Sequence, residues 1–188
     1  MSLQQLVNNS RTDKNTTHTY LPLYDVLLER LKYSAKNVLE VGVHKGGSIL
    51  LWKDFFENAT IYGLDVLSKL SIPQDLFEES RILLHLETDA YNTKFFQETF
   101  LDKNLTFDFM LDDGPHTLES QLNFVKLYSQ LLTKNGILIV EDVQSMDWLP
   151  QLIQETPDHL KQYIRTYDLR KNKNRYDDIV FTIDKREI

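Results

Sequence analysis

With 188 residues, 41% of them hydrophobic and 26% charged, the chain has the size and composition of one soluble globular domain, and no apolar run approaches the roughly 20 residues that span a bilayer. A formal net charge of -7 argues against extended nucleic-acid binding, and the absence of cysteine leaves only oxygen and imidazole to hold a metal, the donors suited to magnesium, calcium or manganese. The opening MSLQQLVNNSRTDK has no apolar h-region, which predicts no secretory signal and a cytoplasmic protein.

Residues 1–19 read as an N-terminal segment, weakly structured at its start, ahead of a single domain over 20–188. Residues 20–33 carry Leu23, Val26, Leu27 and Leu31 at helical spacing, which predicts an amphipathic helix with Pro22 in its first turn. A buried strand follows at 37–43, a helix at 47–57 and a strand at 60–66. The alternation continues with a strand at 81–87, a helix near 91–101, a strand at 106–112, a helix at 117–132 and a strand at 136–142. Short apolar runs alternating with helices imply right-handed crossovers and a doubly wound, mainly parallel sheet covered on both faces. A helix near 147–156 and two strand-like runs, KQYIRTYDL and DDIVFTID, complete the chain. The polar RKNKNRY joins those runs, so a C-terminal antiparallel hairpin should close one edge of the sheet. Ligands of such sheets sit beyond the carboxyl ends of the strands, where Glu40, Asp65, Asp89, Asp112, Asp113, Glu141 and Asp142 collect.

LEVGVHKGGS, 39–48, runs a strand through glycines into a helix, which lets backbone approach a ligand closely. Its glycines fit neither G-x-G-x-x-G nor a Walker loop, so a dinucleotide or nucleoside triphosphate is disfavoured. The spacing E-x-G-x-x-x-G, with Asp65 ending the next strand, resembles the cofactor site of class I S-adenosylmethionine (SAM) dependent methyltransferases. That resemblance implies a seven-stranded Rossmann-like methyltransferase fold with a SAM site at Glu40, Gly42, Gly46 and Ser48. It also implies Asp65 on the ribose hydroxyls and Asp89 near the adenine amino group, although Asp89 serves equally as an N-cap for the helix that follows. Trp52 reads as a core aromatic.

In the sheet order of that superfamily, the strand ending Asp112–Asp113 lies beside the strand ending Glu141–Asp142, roughly 4.8 Å away. Two like charges about 4 Å apart repel by roughly 4 kcal/mol at an effective dielectric near 20, so either one carboxyl is protonated or a cation sits among them. His116, three residues after Asp113, is placed to take a proton; a loop or capping role is its plainer alternative.

D-G-P-H at 113–116, followed by E-D at 141–142, resembles the metal-dependent macrolide sugar O-methyltransferases of the mycinamicin and macrocin type and the related group named after cephalosporin hydroxylase. The resemblance implies Asp113, Glu141 and Asp142 as ligands of Mg2+ (or Mn2+), His116 as base and Asp112 near the sulfonium or amino group of SAM. The segment TDK-x(3)-H-x-Y, Thr12 to Tyr20, resembles a stretch that precedes the catalytic core in the same group, and is expected here as a cover for the cofactor; His18 and Tyr20 either close over the site or cap the first helix. Compared with the macrolide enzymes of that group, the sequence is expected to have no counterpart of their additional N-terminal domain.

The expected activity is SAM-dependent O-methylation of a sugar or other small-molecule hydroxyl. The alternatives are a non-catalytic SAM-binding module or subunit, and a metal-independent methyltransferase. A homo-oligomer fits either. Lys45 and His44 read as loop residues, His85 as a packed core histidine and His159 as surface. The basic run Arg165–Arg175 either steers an anionic substrate or is a solvated turn.

Overall fold

The computed structural model describes residues 1–186. Its helices are α1 (Leu3–Leu6), α2 (Tyr20–Leu28), α3 (Gly47–Phe55), α4 (Thr93–Phe96), α5 (Leu118–Tyr128), α6 (Leu149–Glu155) and α7 (Arg170–Lys173). Its strands are β1 (Asn37–Val41), β2 (Thr60–Leu64), β3 (Ile82–His85), β4 (Phe107–Asp112), β5 (Leu132–Val140), β6 (Ile164–Asp168) and β7 (Ile179–Asp184). They form one seven-stranded sheet in the order β3-β2-β1-β4-β5-β7-β6, parallel except where β7 runs against β5 and β6. The C-terminal hairpin closes the edge as predicted, with α7 formed within its polar connection.

Alternation along each central strand feeds two cores. Val38, Leu111 and Ile139 face α2 and α3, whereas Leu39, Met110 and Leu138 face α5 and α6. Both faces are therefore covered, the arrangement that buried parallel strands require.

Three local expectations change. The N-terminal segment is ordered: Leu3 is buried, and its N–H donates to Asp25 Oδ1 on α2 at 2.6 Å. The inward face of α2 is Tyr20, Leu21, Tyr24, Leu27 and Leu28, while Val26 is 69% exposed. Two tyrosines four residues apart share a helix face, and polar partners for their hydroxyls at the site outweigh the aliphatic pattern. The strand expected at 136–142 starts earlier, at Leu132, because a bulge between the Phe107–Leu132 and Phe109–Ile137 pairs absorbs the polar residues between.

Candidate active site

β1, β4 and β5 end side by side, Val41 beside Asp112 and Asp112 beside Val140. The backbone then turns sharply: Gly42 (φ 96°), His44 (46°), His116 (53°) and Asp142 (53°) are all left-handed. Outside glycine such residues are sparse and concentrate at functional sites. Gly42 is obligatory here, since a Cβ would fall 2.1 Å from the Asp113 carbonyl oxygen. Gln121 of α5 holds the following turn, donating to the carbonyls of Glu141 at 3.0 Å and Asp142 at 3.3 Å.

The carboxylates beyond these strands meet donors from the N-terminal segment and α2. Lys14 Nζ lies 2.6 Å from Asp113 Oδ2, is bonded to Glu141 Oε1 and stands 3.6 Å from Glu40 Oε1. Tyr24 donates its hydroxyl to Glu141 Oε2 at 2.6 Å, and Tyr20 donates to Asp142 Oδ1. His18 stacks on Tyr20 and bonds through Nδ1 to Asp178 Oδ1 at 2.6 Å. The Trp52 indole N–H donates to Glu40 Oε2 at 2.8 Å while its ring packs against Phe56 and Phe109. It is thus both the core aromatic expected and a support for Glu40.

Two oxygens remain directed outward. Asp113 Oδ1 and Asp142 Oδ2 each lie 3.7 Å from His116 Nε2. Asp113, His116 and Asp142 offer ligand atoms all within 4.8 Å of one another, a set able to hold a metal ion. Glu141 stands apart from this trio, both its oxygens engaged by Lys14 and Tyr24.

Burial governs the electrostatics. It pushes the Glu40 carboxyl up to about 7 against the opposing pull of Lys14, and raises Glu141 and Asp142 as well. Burial alone would lower Lys14, but Asp113, Glu141 and Glu40 outweigh it and hold the ammonium well above the usual lysine range. Asp112, 2% exposed, is pushed up to about 6 by burial, opposed by the Tyr91 hydroxyl 2.6 Å away.

A cavity of about 450 Å³, within the usual ligand-pocket range, opens beside the glycine loop. Gly42, Ser48, Asp113 and His116 line it together with Thr12 and Asp13 of the N-terminal segment. Asp65 lies outside that lining, its Oδ2 accepting from the N–H of Val43 at 2.8 Å and of His44 at 3.0 Å, and its Oδ1 from Leu67. Asp89 is exposed and accepts from the Tyr91 N–H at 2.9 Å; the cap of the helix that follows is instead Asn92, which accepts from the Phe95 N–H at 3.0 Å. Gly46 is left-handed, its open side filled by Leu76. His85 packs between Phe95 and Phe100, and His159 is exposed.

Sequence reasoning left Lys14, Tyr24, Tyr91, Gln121 and Asp178 without roles at the site. One signal was present: TDK-x(3)-H-x-Y continues as x(3)-Y, placing Tyr20 and Tyr24 one helical turn apart.

The sheet order, the glycine turn after β1 and the acids at the carboxyl ends of β1, β2, β4 and β5 define the class I methyltransferase fold. Within it, the sequence is similar to sugar O-methyltransferases. It is 29% identical over 139 residues to mycinamicin VI 2''-O-methyltransferase of Micromonospora griseorubida, a match covering 70% of this chain and 33% of that protein. It is also 29% identical over 155 residues to demethylmacrocin O-methyltransferase of Streptomyces fradiae, covering 78% and 37%. The chain therefore spans about a third of the length of these relatives. No protein-family model matches it. Among solved structures, the MycE methyltransferase of the mycinamycin pathway, in complex with Mg and SAH, superposes with a TM-score of 0.75 at 23% identity, over 99% of this chain and 55% of that one. An rRNA-methylase-like protein from Clostridium thermocellum gives 0.66 at 13% identity, over 88% and 94%. Among the described residues, no helix is long and apolar enough to cross a membrane.

Proposed function

We propose that the chain is a SAM-dependent O-methyltransferase acting on a hydroxyl of a sugar or sugar-containing small molecule, with Mg2+ or Mn2+ at the acids beyond β4 and β5. The observation that carries this reading is the paired orientation of Asp113 and Asp142. Each has one oxygen held by a protein donor and the other 3.7 Å from the His116 imidazole. The residues fit a hard, oxygen-ligated cation, with Asp113 and Asp142 holding it and Glu141 completing the anionic surroundings.

Such an ion, when bound, makes an acceptor hydroxyl more acidic and fixes its position. His116 Nε2 takes the hydroxyl proton, and the two aspartates beside it stabilise the imidazolium that forms. Gly42 and Ser48 seat the methionine part of SAM, with Glu40 and Gly46 supporting the loop. Asp112 faces the methionine amino group, Asp65 the ribose and Asp89 the adenine. Residues 11–20 exclude water from above the site. The methyl group then moves by in-line displacement, accelerated mainly by alignment.

A metal-independent methyltransferase is the second reading, favoured by the ammonium of Lys14 already lying among three acids. Methyl transfer from SAM to glycosylated small-molecule acceptors, with EDTA and then added Mg2+, separates the two. Loss on chelation and recovery with Mg2+ supports the first reading; an unchanged rate supports the second. Asp113→Asn should abolish turnover while calorimetry with S-adenosylhomocysteine still shows binding.

A further inference from the structure

Lys14 is enclosed to an unusual degree for its type, with its side chain 1% exposed. Its ammonium is surrounded by oxygens from the ends of three neighbouring strands: Glu40 of β1, Asp113 after β4 and Glu141 after β5. Enclosing an ammonium is costly unless anions pair with it, and enclosing three carboxylates around one ammonium is more anion than one charge can balance. The imbalance has a visible mark. Glu40 is 0% exposed, yet its Oε1 has no hydrogen-bond partner among the described residues and stands 3.6 Å from Lys14 Nζ, beyond hydrogen-bonding reach. Three convergent carboxylates with an oxygen to spare form the surroundings that oxygen-ligated divalent ions take.

Asp113 belongs to two such groupings. Its Oδ2 faces inward to Lys14, and its Oδ1 faces outward to His116 and the Asp142 side. We propose that the carboxylate centre has two cation positions sharing Asp113, and that Lys14 is the resident cation of the inner one. A divalent ion is thereby confined to the outer position. The outer position rests on the function proposed above, whereas the inner one does not. A lysine carried by the N-terminal segment makes this inner charge proof against chelation and tethers the segment over the site. Lys14 is thus a positioning residue, acting through Asp113 and Glu141.

Mn2+ titration of the 188-residue chain, followed by electron paramagnetic resonance of the free ion, tests this. Lys14→Ala should bind one more Mn2+ per chain than wild type. The added site should vanish in Lys14→Ala/Glu40→Gln, and ethylammonium should compete for it. Equal stoichiometry in wild type and Lys14→Ala overturns the proposal. If Lys14→Ala is unfolded, Mn2+ should restore its fold where K+ at equal ionic strength does not; no restoration also overturns it. Wild type binding no Mn2+ would sink the outer position alone, because the gain in Lys14→Ala reads the inner one separately.

Discussion

Tyr24 donates its hydroxyl to Glu141 Oε2 across 2.6 Å, and both side chains are shut off from solvent. The donor favours the charged carboxylate that burial disfavours. Tyr24→Phe keeps the ring and leaves that oxygen unpaired, which should cost about 2 kcal/mol. Urea unfolding at pH 7 measures it, and a loss below about 0.5 kcal/mol would show that the bond contributes little net stability.

Asp112 gives the protein a pH-dependent stability. Its carboxyl is raised to about 6 in the fold, chiefly by burial, and titrates near about 3.9 when unfolded. Between these values the folded chain keeps a proton that the unfolded chain releases. The contribution is therefore complete below about pH 4 and is lost as pH rises through about 6. Asp112→Asn should remove this decline and, without cofactor, exceed wild type by about 2–3 kcal/mol more at pH 7 than at pH 4. An advantage equal at both pH values in denaturant melts would refute the assignment.

Gly42 tolerates no side chain. Its φ is 96° and the Asp113 carbonyl oxygen occupies the place of a Cβ. Gly42→Ala must either break the close approach of β1 to the turn after β4 or strain both. We expect a loss of about 3 kcal/mol or more, a fall of roughly 6–12 °C in Tm for a chain of this size. A calorimetric midpoint within about 2 °C of wild type would contradict this.

The strands and their order of appearance were legible because buried parallel strands are short apolar runs and the acids mark their carboxyl ends. LDDGPH and VED could be placed side by side once the sheet order was supposed. The partners of those acids could not. Lys14 and Glu141 are 127 positions apart, and a loop lysine looks the same in sequence whether solvated or enclosed. The inward face of the 20–33 segment was legible in part, Leu27 and Leu31 being buried as expected, but Val26 is exposed while Tyr20 and Tyr24 are buried with hydroxyl partners that lie far along the chain. Asn92, rather than Asp89, caps the helix after β3 because the turn carries two candidate caps and local spacing does not choose between them.

On the proposed function, His116 should separate chemistry from binding. Its side chain is 30% exposed beside Asp113 and lines the cavity without anchoring any strand. His116→Ala should lower kcat by about 10²–10⁴-fold. Affinity for S-adenosylhomocysteine should change less than about threefold, as seen by calorimetry, because the proposed base acts on the acceptor proton and not on the cofactor. A parallel loss of cofactor affinity would move His116 from proton transfer to cofactor binding.

The bond between His18 and Asp178 spans 160 positions. During synthesis the acids of β4 and β5 leave the ribosome before Asp178 does, and until then the imidazole that stacks on Tyr20 has only Asp13 and Asp142 near it. A nascent chain can thus assemble most of its sheet while the lysine-bearing segment is still untethered at His18. Contacts of such long range are slow to form, so this tether closes only when β7 enters beside β5. Vectorial synthesis thereby leaves the His18 tether among the last contacts to form.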